Sequence, residues 1–252
     1  MLFANMPVAQ LTDWTFKYLP RLSKYTGEYS IMKKDFSARP EKITEPWCTW
    51  QGFLTAMPSL VFIVTGWKSN EKENACLQSW AAFAGGGKDE FACILGAVSK
   101  SGHMYQSLRE TGVCVLNFPS NDIYDRCIKT IGNNEFETDE ITAAGLTAER
   151  AVNINAPRIK ECFLNLECEY LWEREIFENV GVYGYQDVTI ALKVVGISMD
   201  SDRYDQSKLG RYGKTGYLYQ IDNPTNPETG ERTPDIGSGT IELNHPIPWD
   251  TK

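Results

Sequence analysis

The sequence offers few side chains in the patterns that acid–base, nucleophilic or metal chemistry requires. It contains only two histidines, His103 and His245, which are too few for a histidine-rich zinc site, and the His-Glu-x-x-His motif is absent. The Gly-x-Ser-x-Gly motif that presents a nucleophilic serine is absent as well. We therefore predict no metal site and no dedicated catalytic side chain, and the usual hydrolase and nucleotidase signatures are missing.

The glycine-rich run at residues 85–88 has only part of a phosphate-binding loop. Three glycines precede Lys88, but the upstream glycine and the serine or threonine after the lysine are absent. We predict a flexible loop at this position.

The cysteines indicate reduced thiols rather than a disulfide framework. Their number is odd, no two form a Cys-x-x-Cys pair, and most lie in apolar segments such as residues 91–95. They are Cys48, Cys76, Cys93, Cys114, Cys127, Cys162 and Cys168.

Composition and charge narrow the classes of partner. The chain has 252 residues and a formal net charge of −8, which argues against nucleic acid or an anionic membrane as the main partner. No apolar run approaches the roughly 20 residues that a membrane-spanning helix needs. Asp13 and Trp14 interrupt the segment where a signal peptide would be apolar. We expect a soluble, cytoplasmic protein.

The elements that must position any site are mostly strands. Five apolar or β-branched runs of strand length occur at residues 60–65, 91–98, 113–118, 163–171 and 187–199. Two helices are predicted, over residues 104–110 and 122–131, each followed by a glycine. Strands and helices do not alternate regularly, which disfavours a doubly wound parallel sheet. The pattern predicts a mainly β fold, an antiparallel β-barrel with short helical insertions.

Changes in composition divide the chain into three parts. Residues 1–55 are aromatic-rich and contain Pro40 and Pro46, so we expect an N-terminal extension that packs on the barrel or on a partner subunit. Residues 56–200 form the predicted barrel domain. Residues 201–252 begin with a tyrosine-rich segment and continue as a Pro- and Gly-rich C-terminal arm, which we expect to be ordered.

Three ordered segments carry a family resemblance. They are Pro58-Ser-Leu-Val-Phe-Ile-Val-Thr65, Asn74-Ala-Cys-Leu-Gln-Ser-Trp80 and Glu110-Thr-Gly-Val-Cys-Val-Leu-Asn-Phe-Pro119. Together with residues 144–147, 156–162 and 166–168, they make the chain resemble the flavin reductase-like family of FMN-binding split barrels, which includes flavoredoxin-type proteins. The likeness covers about residues 57–200.

The resemblance implies a six-stranded antiparallel barrel that is dimeric and holds one FMN near each subunit boundary. The strand residues that would line the isoalloxazine ring are Asn74, Ala75, Cys76, Gln78, Ser79 and Trp80. The residues that would meet the phosphate end are Ser99, Lys100, Ser101 and His103. Asn117 would lie in the barrel near the flavin strand.

The chain departs from the family pattern at two places. Gly102 and Met104 stand where the family usually has an arginine and a threonine or serine. Residues 139–141 read Asp-Glu-Ile where the family tends to have Asp-Lys-Phe. We expect Lys100, with Ser99 and Ser101, to substitute as phosphate donors.

The function implied by the resemblance is an oxidoreductase in which NADH or NADPH gives a hydride to the flavin and electrons then pass onward. The alternative is a non-catalytic FMN-binding electron-transfer protein, reduced by a redox protein partner. A divergent barrel that has lost flavin is a third reading.

Structural interpretations of the same residues stay open. The polar residues of strand 74–80 would then face water, and His103 and Lys100 would be solvated loop residues. For Cys76 we prefer the role of a small buried hydrophobic residue. Tyr212, Tyr217 and Tyr219, with Lys214, would cover the flavin or, more simply, the dimer interface.

Overall fold

The computed structural model describes residues 33–44, 50–87, 89–132, 134–175, 187–204, 210–221, 224–232 and 237–242. Among these, the residues from 39 onward belong to one compact unit and residues 33–38 to another. The predictions made for residues 1–32 and 45–49 of the N-terminal extension lie outside the described residues, as do Cys48 and His245.

The five apolar runs of the sequence form half of the twelve strands found in this part of the chain. The strands are β1 (Ser59–Leu60), β2 (Phe62–Trp67), β3 (Glu73–Gln78), β4 (Ala81–Gly86), β5 (Glu90–Ser99), β6 (Val113–Phe118), β7 (Ala148–Arg150), β8 (Pro157–Ile159), β9 (Leu164–Arg174), β10 (Asp187–Met199), β11 (Leu218–Ile221) and β12 (Gly237–Thr240).

Short helices lie between the strands. They are α1 (Trp50–Thr55), α2 (His103–Thr111), α3 (Tyr124–Gly132), α4 (Glu140–Ala143) and α5 (Ser201–Tyr204), with a 3₁₀ turn at Asn121–Ile123 before α3. Helix α2 ends at Gly112, whose φ of 72° is left-handed and whose N–H bonds to the Leu108 carbonyl, as a glycine C-cap predicts. None of the described helices is long and apolar enough to cross a membrane.

A single bent strand closes the main sheet. The strand order is β3-β2-β6-β9-β10-β5-β4, and all neighbours are antiparallel. The two end strands, β3 and β4, are joined by only Ser79 and Trp80. Because β3 pairs with β2 and β4 pairs with β5, the two act as one bent strand that closes a six-stranded antiparallel barrel. The predicted fold class is confirmed.

Aromatic rings fill the barrel. Phe62 contacts Phe83 and Phe118 at centroid distances of 6.4 and 5.7 Å. Phe118 in turn lies 5.9 Å from Tyr217, which also packs on Phe163 at 5.1 Å. Fully burying a phenylalanine stabilises a fold by about 1.5–3 kcal/mol, so this packed interior contributes much of the stability. Tyr217 therefore packs against the barrel core.

Different elements cover the outside of the barrel. The outer faces of β2 and β3, at Ile63 and Ala75, pack against Ile123 and Cys127 around α3 and against Ile141 of α4. Val115 of β6 packs on residues 151 and 156. On the other side, Leu171 and Trp172 of β9 and Trp80 are 49, 41 and 49% exposed. In the described part of the structure these three large side chains are therefore exposed to solvent.

Two local predictions differ from the structure. Gly85 and Gly86 end β4 and pair with Phe91 and Glu90, so most of the predicted flexible loop is a hairpin, with Gly87 at a φ of 59° in its turn. The predicted strand 60–65 is divided between β1 and β2. The division falls at Val61, whose N–H bonds to the carbonyl of Leu218 in a separate sheet of order β1-β11-β12.

Candidate functional site

The β3 edge that faces away from β2 carries a row of backbone amides. Strand β3 has β2 as its one neighbour in the sheet, and in an antiparallel pair every second residue points its N–H outward. The outward amides of Glu73 and Ala75 donate to carboxylates, to Asp139 Oδ1 at 3.2 Å and to Glu140 Oε2 at 2.7 Å. Leu77 is next in this row, and no described residue accepts a hydrogen bond from its amide.

A buried ion pair lies behind this edge. The side chains of Lys68 and Glu140 are each 1% exposed, and Lys68 Nζ lies 3.0 Å from Glu140 Oε1. Lys68 also donates to the carbonyls of Glu135 and Thr138, at 3.0 and 2.6 Å. The ammonium therefore has three acceptors, which matches its three protons. The β2–β3 hairpin is in this way attached to the segment that precedes α4.

Asn74 connects this ion pair to helix α2. With its amide oriented so that both ends find partners, Nδ2 donates to Glu140 Oε2 at 3.0 Å and Oδ1 accepts from the Met104 amide at 3.2 Å. His103, the first residue of α2, places its buried Nδ1 3.6 Å from Glu140 Oε1, without a hydrogen bond among the described residues. Its ring packs edge-on against Phe136. The start of α2 is thus held beside β3.

A second, exposed ion pair supports the same contact. Lys72 Nζ lies 2.8 Å from Asp139 Oδ2, and both side chains are more than a third exposed. The hydrogen bond from Lys72 lowers the pKa of the Asp139 carboxyl below its ordinary value, and Asp139 raises the pKa of Lys72. An exposed pair of this kind contributes little stability.

The turn before α2 contains the residues predicted to meet the phosphate. The hydroxyls of Ser99 and Ser101 lie 3.0 Å apart, and the Gly102 amide donates to the Ser99 carbonyl. Lys100 Nζ lies 3.0 Å from Glu175 Oε1, and this hydrogen bond raises the pKa of Lys100. Met104 is buried, so its side chain cannot replace the family's threonine or serine at this turn. The one cation of the turn is therefore balanced by a carboxylate.

A polar cleft of about 380 Å³ lies next to this turn. Its lining residues are Glu173, Arg174, Glu175 and Val188. Glu173 accepts a hydrogen bond from Tyr105 at 3.0 Å, and Glu175 pairs with Lys100. Because its two carboxylates outnumber its one cation, Arg174, the cleft itself is a poor site for phosphate.

The remaining predicted residues of the flavin strand lie where the barrel bends. Cys76 and Gln78 are partly buried, and Gln78 Nε2 lies 3.3 Å from the Cys76 thiol, whose pKa is raised by burial. Ser79 is buried and donates to Gln220 of β11 at 2.8 Å, whereas Trp80 projects into solvent.

Asn117 lies inside the protein with all its hydrogen-bonding groups engaged. Its Nδ2 lies within hydrogen-bond distance of the Ile63 carbonyl and of Thr65 Oγ1, at 3.0 and 2.9 Å. Its Oδ1 accepts from the Ile159 amide and from Asn165 Nδ2, both at 2.8 Å. Because Asn117 is fully buried, we leave it out of the proposed site, and its predicted cofactor role stays a prediction.

The structure brings only part of the predicted set together. Asn74, Ala75 and His103 meet around Glu140, and Ser99 and Ser101 meet at the turn before α2. Sequence reasoning gave no role to Lys68, because its partner is 72 residues away in the chain and Lys68 itself belongs to no recognisable motif. The glutamate at position 140, where the family tends to have a lysine, was the one feature of the sequence that could have pointed to this ion pair.

Comparison with known proteins shows which family the chain matches. A model of the flavin reductase like domain matches residues 54–220, which is more than half of the chain. An uncharacterized protein from Methanothermobacter thermautotrophicus is 27% identical over 115 residues, or 46% of this chain and 52% of the relative. The chain thus spans about half the length of that curated relative.

Solved structures share the fold at low sequence identity. Nitrilotriacetate monooxygenase component B from Bacillus cereus has a TM-score of 0.65 at 14% identity, covering 86% of this chain and 100% of the other. The FMN-binding protein from Thermus thermophilus, solved with p-hydroxybenzaldehyde, gives 0.59 at 14%, covering 85 and 100%. Flavoredoxin from Methanosarcina acetivorans gives 0.58 at 18%, covering 77 and 90%.

The closed barrel and the matched domain define a split-barrel protein of the flavoprotein class. The chain belongs to the flavin reductase-like family.

Proposed function

We propose that the protein is an FMN-binding oxidoreductase that accepts a hydride from NADH or NADPH and passes electrons onward. The observation that carries the proposal is the β3 edge, a row of outward backbone amides that reaches Leu77, in a chain of this family. When bound, FMN supplies the hydride-accepting chemistry, which agrees with a sequence that has no catalytic triad.

The residues present fit the two ends of FMN unequally. The outward amide of Leu77 and the carbonyls beside it match the alternating acceptors and donor of the isoalloxazine edge. Ser99 and Ser101 offer hydroxyl donors to a phosphate, and Lys100 offers a cation if it exchanges Glu175 for the ligand. We therefore expect a well-defined ring site and a weak phosphate site.

The test is an absorbance spectrum of the purified protein, taken before and after adding FMN and then NADH or NADPH without oxygen. We expect flavin bands that remain with the protein on gel filtration and bleach when the nicotinamide is added. A protein that stays colourless and takes up no FMN would refute the proposal.

A non-catalytic electron carrier is the second candidate. It is favoured by the balanced Lys100–Glu175 pair, which weakens the phosphate site. A carrier would bind FMN and be reduced by dithionite, but its bands would persist with NADH and NADPH. Steady turnover with either nicotinamide would remove this candidate.

We also propose that the protein works as a homodimer. The support is three large apolar side chains that are exposed in the described structure, Leu171 and Trp172 of β9 and Trp80 between β3 and β4. One chain has a mass of 28.5 kDa, and analytical ultracentrifugation should give twice that mass. Trp172→Glu should lower that mass, whereas Val152→Glu, a change at an exposed residue on another side of the barrel, should not. A monomeric parent protein would contradict the proposal.

A further inference from the structure

We propose that Lys68, Glu140 and Asn74 form a buried clamp that fixes the start of α2 against β3. The part of this inference that concerns flavin rests on the proposed function. In it, Asn74 is a positioning residue that sets the ring-binding edge and makes no contact with the flavin.

The first argument is that every polar group of the clamp is engaged. The Lys68 ammonium has three acceptors, and Glu140 accepts from Lys68 at one oxygen and from the Ala75 amide and Asn74 at the other. Both charged side chains are 1% exposed. A buried ion pair is weak evidence for stability, because desolvation offsets the attraction, so a role in specifying one arrangement explains it better.

The second argument is where the hydrogen bonds end. The clamp holds the Met104 amide, in the first turn of α2, through Asn74 Oδ1 at 3.2 Å. It also holds the Ala75 amide, two residues before Leu77, at 2.7 Å. The β3 edge and the first turn of α2, which follows directly on residues 99–102, are therefore attached to one carboxylate.

The third argument concerns His103. Its buried Nδ1 lies 3.6 Å from Glu140 Oε1, which is too far for a hydrogen bond, and its ring packs edge-on against Phe136. The first residue of α2 therefore lies against the same carboxylate as the clamp.

The experiment compares three variants of the full chain. In the double variant Lys68→Met/Glu140→Leu, apolar side chains of similar size replace the ion pair, which commonly preserves folding. Asn74→Ala removes only the bridge and serves if the double variant fails to fold. The control is Glu167→Gln, which changes another fully buried carboxylate, one that accepts from the amides of Val152 and Asn153.

Two quantities are measured besides thermal stability: hydrogen exchange at the Met104 amide by NMR, and the dissociation constant for FMN by fluorescence titration. We expect the double variant and Asn74→Ala each to speed Met104 exchange and weaken FMN binding by about tenfold, while exchange at Leu116 in the barrel core stays slow. Glu167→Gln should lower stability and leave both quantities within about twofold.

The outcomes separate the two proposals. Unchanged Met104 exchange in both clamp variants would overturn the clamp, and faster exchange with unchanged FMN affinity would overturn its role in positioning the flavin site. If the parent protein bound no FMN, the proposed function would fail, and the exchange rates would still decide whether the clamp exists.

Discussion

Among single residues, Cys76 is the most accessible of the six described cysteines. It lies in β3 and is partly buried, whereas the other five are buried. Burial raises the pKa of Cys76 too, and that of Cys93 and Cys127 to about 12, so exposure rather than the amount of thiolate sets Cys76 apart. The buried thiols agree with the prediction of reduced core cysteines for the residues that the structure describes.

This difference predicts the order of chemical modification. Native protein treated with iodoacetamide should react at Cys76 before any other described cysteine, as read by mass spectrometry of its peptides. Added FMN should slow that reaction, because the candidate ring-binding edge includes Cys76. Denatured protein is the control and should react at all sites. FMN that binds but does not slow the reaction would show that Cys76 lies away from the ring.

Asn117 predicts a loss of stability. Asn117→Ala leaves the Ile159 amide and Asn165 without their acceptor, so we expect the free energy of unfolding to fall by about 2–4 kcal/mol. Urea denaturation measures it. Asn70→Ala is the control, since its bonds with the Phe136 carbonyl and the Lys72 amide lie near the surface, where water can replace them. Equal losses in the two variants would contradict the internal role of Asn117.

At the scale of elements, local signals were sufficient for several boundaries. The predicted strands 113–118 and 187–199 coincide with β6 and β10, and the first predicted helix is one residue short at each end. Glycine marks the end of that helix, because Gly112 adopts a left-handed conformation that other residues avoid. Where the end of a strand or helix depends on residues close by in the chain, it can be predicted from the sequence.

Long-range pairing explains what the sequence did not reveal. The division of residues 59–67 into β1 and β2 depends on Leu218, far along the chain. The clamp depends on Lys68 meeting Glu140, and the neutralisation of Lys100 depends on Glu175. The family resemblance identified the strand and turn of the candidate site, but the use of Asn74 inside the protein follows only from tertiary contacts.

The turn at Gly230 packs closely against residues 39–44, and we predict that this contact stabilises the protein. Its φ is 77°, and a Cβ built on it would lie 2.4 Å from the Lys42 carbonyl oxygen. Gly230→Ala should therefore destabilise the protein by about 1–3 kcal/mol in urea denaturation. Gly237→Ala is the control, because its Cβ would meet nothing within 4 Å. If the Gly230 variant were as stable as the control, the contact between the turn at Gly230 and residues 39–44 would contribute nothing to the free energy of unfolding.

For the whole molecule, the buried thiols predict a stability that depends on alkaline pH. Burial raises the pKa of Cys93, Cys127 and Cys162 in the folded state above the ordinary value of 9.0. Below pH 9 the thiols are protonated in both states, so their contribution to stability is fully present. Above it the unfolded chain loses protons first, and the contribution falls as pH rises.

The measurement is urea denaturation between pH 7 and pH 11. Each such thiol should lower the free energy of unfolding by about 1.4 kcal/mol per pH unit in the range between its two pKa values. Cys127→Ala should be less stable at pH 7 but show a shallower decline at high pH. A decline of unchanged slope would mean that this thiol ionises in the folded protein.

The carboxylates along β3 have one more consequence, which concerns aggregation. A strand with a row of unpaired amides is a template on which another chain can add a strand. Asp139 and Glu140 occupy two successive amides of that row, at Glu73 and Ala75, and place negative charge beside them. An incoming strand would have to displace both carboxylates. The contacts that shape the candidate site therefore also protect the protein against self-association through this strand.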